Sequence, residues 1–245
     1  MCDLSVIVPL YNAEKYLLSY FDKNIPIFDQ LSRLHFDIEL LFVDGVSNDQ
    51  TLAIINENLD EREYIKLMSE EDEGIYDAMN NGVNSSRGKY IYFMGVDDVL
   101  SQGFVDIFER AFPECENIDI FYGYVTLLSS GSSYIRMLNK GIVYKNVCHQ
   151  AMFFKRELLL NSPYDLKYTL LSDWEKNMYF STFACCKFYD FNIALYNDLD
   201  GRSSNNIDVE FKSDRNKIIH RNYGFGGVIY SLILRFFDKF NKVFR

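Results

Sequence analysis

The sequence predicts an α/β protein built on a mostly parallel sheet. Three observations carry this. Apolar, β-branched runs of strand length recur through residue 100, helical patterns separate them, and acidic or glycine-bearing turns close several of the runs.

Taken in order, "LSVIVPL" (Leu4–Leu10) is continuously apolar, the mark of a strand buried on both faces. A helical pattern runs from about Ala13 to Leu34. "FDIELLFVDG" is a second strand ending at Asp44, and "SNDQTLAIINENL" is an N-capped helix after it. "YIKLMSE" reads as a short third strand, "GIYDAMNNGVNSS" as a helix and "KYIYFMG" as the fourth strand. Strands alternating with helices imply right-handed crossovers, and ligands of such sheets bind beyond the carboxyl ends of the strands. Pro9–Asn12, Asp44 and Asp97–Asp98 all fall at such ends, which directs them into one crevice.

After residue 101 the pattern loosens. "QGFVDIFERAF" is a helix, and "IDIFYGYVTLL" and "SYIRMLN" form a hairpin through "SSGSS". "AMFFKRELLL" is a strand entering a helix, and "LSDWEKNMYFSTF" is a helix capped by Ser172. No linker interrupts the chain. Residues 1–210 are therefore expected to form one domain with halves 1–100 and 101–210, followed by a tail, 211–245.

The 245 residues are 48% hydrophobic and 24% charged with only 4 prolines, the composition of a folded protein. A net charge of −10 argues against a nucleic-acid binder. Residues 212–245 carry eight Lys or Arg against Asp214 and Asp238, a net +6, which leaves −16 on the other 211 residues. Five cysteines without CxxC spacing favour free thiols in a reducing compartment. No basic stretch precedes the first strand, so no signal peptide is expected, and no apolar run reaches membrane-spanning length.

Two common phosphate signatures, GxxxxGK[ST] and a GxGxxG after the first strand, are absent. "VPLYNAEKYL" instead offers a Pro-x-Tyr-Asn turn able to present backbone groups and an aromatic face to a flat ring, or an ordinary strand-to-helix turn. The adjacent acids Asp97 and Asp98 suit Mg2+ or Mn2+, which take oxygen ligands from one or two carboxylates plus substrate phosphates. They equally suit a cap on the helix beginning near Ser101.

"LSVIVPLYNAEKYL", "ELLFVDGVSNDQT", "SEEDEGIYDAMNNGVNSSRGKYIYFMGVDD" and "HQAMFFKREL" together resemble family 2 glycosyltransferases of GT-A fold over about residues 3–200. The nearest subgroup, with its Ser-Glu-x-Asp-x-Gly-Ile-Tyr-Asp-Ala-Met-Asn motif, is found in bacterial capsule, exopolysaccharide and O-antigen assembly. The resemblance implies a mostly parallel nucleotide-binding sheet flanked by helices, with a small antiparallel acceptor-side part. It implies that Asp44 hydrogen-bonds the nucleotide base, with Pro9, Tyr11 and Glu14 lining that pocket. Asp98 is then the direct ligand of Mn2+ or Mg2+, and Asp97 faces the ribose or sugar. Gly74, Asp77 and Asn80 match the segment closing over the donor sugar and diphosphate. Met79 stands where the wider family often has arginine, so another cation is expected to face the diphosphate. "DGVSND" has one acid fewer than the more frequent Asp-Asp-Gly-Ser, and Arg87 stands in place of an alanine, where a solvent-facing side chain is expected.

Inverting transfer needs a base for the acceptor hydroxyl, and the resemblance points to Asp173 at the start of "SDWEKNMYF". Glu175 and Asp165 compete, and a first-turn acid is also favoured by the helix dipole. His149, in a His-Gln pair, is expected near the acceptor or diphosphate or as a satisfied core residue. Residues 200–206 are either a loop closing on substrate or a surface loop.

In the tail, Val228, Ile229, Leu232, Ile233, Phe236, Phe237, Phe240, Val243 and Phe244 recur at helical spacing. This basic amphipathic helix is expected to lie in an anionic membrane surface through 224–245, or to dock on its own domain or a second subunit in a homodimer. The expectation is an inverting glycosyltransferase of the hexosyltransferase class, peripheral at the inner face of the cytoplasmic membrane. It moves a sugar from a nucleoside-diphosphate donor, with UDP the expected nucleotide, to a lipid-linked glycan. A nucleotidyltransferase would need a glycine-rich basic loop, which "PLYNAEKY" lacks. An inactive sugar-nucleotide-binding scaffold would keep Asp44 but not need Asp173.

Overall fold

The computed structural model describes residues 2–59, 62–199 and 206–243. Its first half alternates β1 (Leu4–Leu10), α1 (Glu14–Arg33), β2 (Ile38–Asp44), α2 (Thr51–Leu59), β3 (Ile65–Ser69), α3 (Ile75–Ser85) and β4 (Tyr90–Phe93). Then come β5 (Val99–Leu100), α4 (Gln102–Ala111), β6 (Ile120–Leu127), β7 (Ser133–Tyr134), β8 (Met152–Lys155), α5 (Arg156–Asn161), α6 (Ser172–Phe180), β9 (Cys186–Tyr196) and α7 (Val209–Val243).

The nine strands form one sheet in the order β3-β2-β1-β4-β8-β6-β9-β5, with β7 on β6. β3, β2, β1 and β4 run parallel, so their carboxyl ends share one edge. β8 lies antiparallel between β4 and β6 and joins the two halves of the chain. β1 and β2 are buried along their whole length, as continuous apolar runs in a covered parallel sheet must be.

Pro9 is tolerated in this central strand because β4 has already ended. The Ile7 carbonyl takes the Met94 N–H, so Pro9, two residues on, turns its missing donor to the side β4 has vacated. Behind the sheet the core is aromatic: Phe121 stacks on Phe153 at 4.6 Å, and Phe104, Phe108 and Tyr92 pack edgewise or tilted around them.

Three expectations change. Ser172 is not the cap of α6; Leu171 holds that position, and the buried Ser172 hydroxyl has no partner. The free backbone N–H groups of Leu170 and Leu171 go instead to one carboxylate oxygen of Asp208. The second hairpin strand shrinks to Ser133–Tyr134, because residues 139–151 turn into two 3-10 segments, Lys140–Val143 and His149–Ala151. Finally, the tail helix starts at Val209, capped by Asp208 through the Phe211 N–H at 2.9 Å. It breaks at Gly224, whose φ of 66° is a left-handed conformation that favours glycine.

The two halves of α7 meet the body differently. In the first, Phe211 stacks on Trp174 at 5.2 Å and Ile218 and Ile219 are buried. In the second, the side facing the body includes Ser231, fully buried and donating to the Val143 carbonyl at 3.1 Å. Phe225 (70% exposed), Ile229, Leu232, Ile233 and Phe236 (66%) face outward. Of the stripe, Val228 packs on the core, while the side from Phe225 to Phe236 through Ile229, Leu232 and Ile233 does not dock this helix on its own domain.

Candidate functional site

The edge where β1, β2 and β4 end is closed on one side by two interlaced loops. Asn12 donates its N–H to the Ser47 hydroxyl and accepts the Asn48 N–H, while Ala13 donates to Thr51. Glu14 accepts the Gln50 N–H and donates its own to Asp49. Val46 carries a φ of 60°, an outlier for a β-branched residue, of the kind that clusters at functional sites. Pro9 is buried in β1, whereas Tyr11 and Glu14 are exposed at the rim. Asp44 is fully buried and accepts from the Ser47 N–H, the Ser47 hydroxyl and the Ser69 hydroxyl, the last at 2.7 Å. Its carboxylate thus anchors the loop that forms the floor of the crevice.

Asp97 and Asp98 sit on the turn after β4. Asp98 is 2% exposed; its two oxygens accept the N–H groups of Asn197 at 3.0 Å and Gly95 at 3.1 Å. Burial, and next the charge of Asp97, pushes its carboxyl up to about 7. Asp97 accepts from the Asn197 side-chain amide at 2.9 Å, so one residue brackets both acids. Both carboxylates fold over Gly95: a methyl there would stand 2.6 Å from Asp98 Oδ2 and 2.9 Å from Asp97 Oδ1. Asn24 of α1 fixes the far side, donating to the Asp98 carbonyl and accepting the Leu100 N–H.

Two converging carboxylates, one buried and destabilised by the other, form a hard-oxygen donor set that fits a divalent cation. Among the described residues no group of three or more His, Cys, Asp or Glu could hold a metal ion. Substrate phosphates and water would therefore complete the shell, as is usual for Mg2+.

Over the crevice stands the N-terminus of α3. Gly74 takes a φ of 122° at its cap with open space around the position, and Asp77 accepts the Glu73 N–H at 2.9 Å. Asn80 lies differently from a donor-facing residue. Its amide donates to the Tyr164 carbonyl and accepts the Tyr164 N–H, which clamps α3 to the second half. Met79 is buried, so that position offers the diphosphate nothing.

Asp173, in the first turn of α6, faces the crevice from the second half. Tyr76 of α3 donates to one of its oxygens at 2.8 Å, and Asn146 donates to the other at 2.5 Å. Burial raises its carboxyl to about 6, and these two hydrogen bonds hold it back from rising further. The Cys148 thiol feels both this acid and Asp98: burial first, then the two charges, pushes its pKa up. The competitors are engaged elsewhere: Glu175 is buried in ion pairs with Arg221 and Lys176, and the exposed Asp165 accepts the Lys167 N–H. His149 proves to be a core residue, packed on Phe93 at 4.8 Å with its Nε2 against the Tyr164 hydroxyl. Burial lowers its pKa to about 3, so it is neutral.

Arg87 is not simply solvent-facing. It pairs with the buried Glu39 at 3.0 Å, at the edge where the strands begin, opposite the crevice. Of the expected loop at 200–206, residues 200–205 lie outside the described residues. Four functional neighbours escape local sequence reasoning: Asn197, Tyr76, Asn146 and Asp208. Only Tyr76 lay inside a motif, and its partner Asp173 is 97 residues away.

The family model "Glycosyl transferase family 2" matches residues 5–161. The PGL/p-HBAD biosynthesis glycosyltransferase of Mycobacterium tuberculosis is 36% identical over 186 residues, 71% of either chain. Glycosyltransferase GlyA of Streptococcus pneumoniae is 29% identical over 175 residues, 71% of this chain but 24% of that one. Among solved structures, S. aureus TarS 1-349 in complex with UDP-GlcNAc superposes with a TM-score of 0.67 at 18% identity, over 89% of this chain and 65% of that one. The mannosyltransferase PcManGT of Pyrobaculum calidifontis, in complex with GDP-Man and Mn2+, gives 0.60 at 14% identity, over 82% and 58%. This chain thus spans less than two thirds of either solved chain, and at these identities the likeness shows the fold.

Proposed function

The chain belongs to glycosyl transferase family 2, and on that premise we propose that it moves a sugar, with inversion, from a nucleoside-diphosphate sugar to a hydroxyl of a lipid-linked glycan in cell-surface polysaccharide assembly. UDP is the expected nucleotide. The observations that support this reading are the two converging acids of the Asp97–Asp98 turn and the half-buried Asp173, held by Tyr76 and Asn146.

The acceptor oxygen attacks the anomeric carbon, the bond to the diphosphate oxygen breaks, and the hydroxyl proton passes to Asp173. Asp98, with Asp97 beside it, would hold Mn2+ or Mg2+, which supplies Lewis-acid neutralisation of the leaving diphosphate. The Tyr76 hydroxyl lies within hydrogen-bond reach of both Asp173 and the Leu170 carbonyl, at 2.8 and 2.9 Å. It has one proton. It donates to Asp173 while that acid is ionised; once Asp173 has taken a proton, it accepts from Asp173 and donates to Leu170. Both protonation states are thereby satisfied, as a general base requires. Tyr11 and Glu14, on the loops that the buried Asp44 anchors beside Pro9, receive the base, and Gly74 and Asp77 lie over the donor.

The reading includes a location at the inner face of the cytoplasmic membrane, which the second half of α7 supports. No helix among the described residues is long and apolar enough to cross a membrane. The outward stripe from Phe225 to Phe236 is instead suited to lie in an interface. A segment of net +6 on a body of −16 directs that stripe, rather than the body, toward anionic lipid.

The test is calorimetric titration of UDP, GDP and CDP with and without Mn2+, on the wild type, Asp98→Ala and Asp173→Asn. Metal-dependent binding of one nucleotide is expected, lost in Asp98→Ala. In Asp173→Asn binding persists and transfer is abolished. Binding of no nucleotide under any metal condition would sink the donor-site reading; transfer surviving in Asp173→Asn would remove that residue as the base.

A further inference from the structure

Arginine without a carboxylate partner is costly to bury beside an active site unless an anion arrives to meet it. Arg136, just past β7, is half-buried, with its Nε shielded from solvent. Its guanidinium carbon lies 4.8 Å from the Tyr134 ring centroid, one Nη donates to the adjacent Ile135 carbonyl, and its Nε is buried with no partner. Among the described residues it forms no ion pair.

Arg215, from α7, repeats the pattern. It lies 4.5 Å over Trp174, donates to the Val143 and Tyr144 carbonyls, and also leaves a buried Nε unpartnered. Burial, and then the charge of Arg235, pulls its pKa down to about 10, so a further anion there would be welcome. Arg215 reaches the Tyr144 backbone, and the Tyr144 phenol hydrogen-bonds the Asp238 carboxylate within the field of both arginines. The cluster adjoins the candidate base. The Tyr134 hydroxyl donates to the Asn146 carbonyl at 2.9 Å, and the Asn146 amide donates to Asp173. Ser231 of the outward-facing helix half meets the same Val143 carbonyl that Arg215 uses, so the cluster lies between the crevice and the apolar stripe.

We propose that Arg136 and Arg215, around Tyr144, form a subsite for a phosphate of the acceptor, holding it beside Asp173 and against the base of the outward-facing helix. The inference rests on the reading of this crevice as a glycosyltransferase site, and it names the acceptor class: one carrying a phosphate close to the reacting sugar. A planar guanidinium meets two phosphate oxygens at once, which a lysine does only as a point charge.

The lone tryptophan of the sequence, Trp174, lies under Arg215 and reports on the cluster. Inorganic pyrophosphate, titrated into the full chain without metal, is expected to change its fluorescence saturably. Arg136→Gln should weaken that response at least about tenfold, and Arg136→Lys less. Calorimetry with UDP and Mn2+ separates the two sources of phosphate and shows that the variants are folded. UDP affinity kept in Arg136→Gln supports the acceptor assignment; an equal loss would give Arg136 to the donor diphosphate and overturn it. No saturable response in the wild type, or an unchanged one in Arg136→Gln, would also overturn it. If pyrophosphate binds as expected but no nucleotide does, the glycosyltransferase reading of the crevice fails and the phosphate subsite stands.

Discussion

Replacing Asn146 by alanine should move the acid limb of the pH–rate profile upward. Asp173 must be ionised to take the acceptor proton, and its carboxyl titrates at about 6 because burial raises it while Tyr76 and Asn146 hold it down. Asn146→Ala deletes a 2.5 Å hydrogen bond to the charged form. A hydrogen bond to a charged group contributes about 1.5–3 kcal/mol. At about 1.4 kcal/mol per pKa unit, this is roughly one to two units. The sign follows from which state loses its partner: the carboxylate does, so the pKa rises and transfer fails at a higher pH. Read at saturating Mn2+, which keeps Asp98 ionised, the limb is expected near 6 in the wild type and about 7 to 8 in the variant, with the rate recovering at alkaline pH. The same change strands the Asn177 amide, which donates to Asn146 at 2.9 Å, so the melting temperature should fall as well. Fold loss and base perturbation separate because only the second is recovered by raising pH. The assay is initial-rate donor turnover, with the nucleotide that calorimetry selects, over pH 4.5–9. A limb that stays in place, or moves to lower pH, would refute Asp173 as the titrating base.

Two further outcomes are expected. Gly95→Ala places a methyl 2.6 Å from Asp98 Oδ2 and should cut metal-dependent nucleotide binding at least about tenfold, measured by calorimetry; unchanged affinity would mean the acids do not act together there. Ile229→Glu with Phe236→Glu puts two charges on the outward stripe. It should abolish co-sedimentation with phosphatidylglycerol-containing vesicles while leaving nucleotide binding intact, and the wild type should bind less at high salt. A dimer in light scattering that the double variant disperses, without vesicle binding by the wild type, would assign the stripe to a second subunit.

What was legible in the sequence follows from the range of the interactions involved. β1, β2 and β4 could be read residue by residue because a strand covered on both faces must be apolar throughout, and the ends of β2 and β4 are marked by Asp44 and Gly95. Parallel pairing alone then brings those ends to one edge. β9, the longest strand, received no element, since "CKFYDFNIALY" lies at intermediate or full exposure over much of its length and pairs with β6 through register shifts. No local period describes such a strand. The site divides in the same way. Its acids stand at strand ends and helix starts, where short motifs reveal them, but the groups that set their chemistry arrive from afar. Asn197 reaches Asp97 across 100 residues and Asn24 reaches the Asp98 carbonyl across 74.

The tail shows the limit most plainly. Helical periodicity correctly found an amphipathic helix but could not say which side faces the body. That choice depends on the Val143 and Tyr144 carbonyls, left free by a 3-10 turn and met by Ser231 and Arg215. Once polar groups supply the docking contacts, the phenylalanine-rich side has no place on its own domain. An apolar stripe there stays exposed, the surface that the membrane proposal assigns to lipid, whereas the same stripe on an inward-docked helix would have been core.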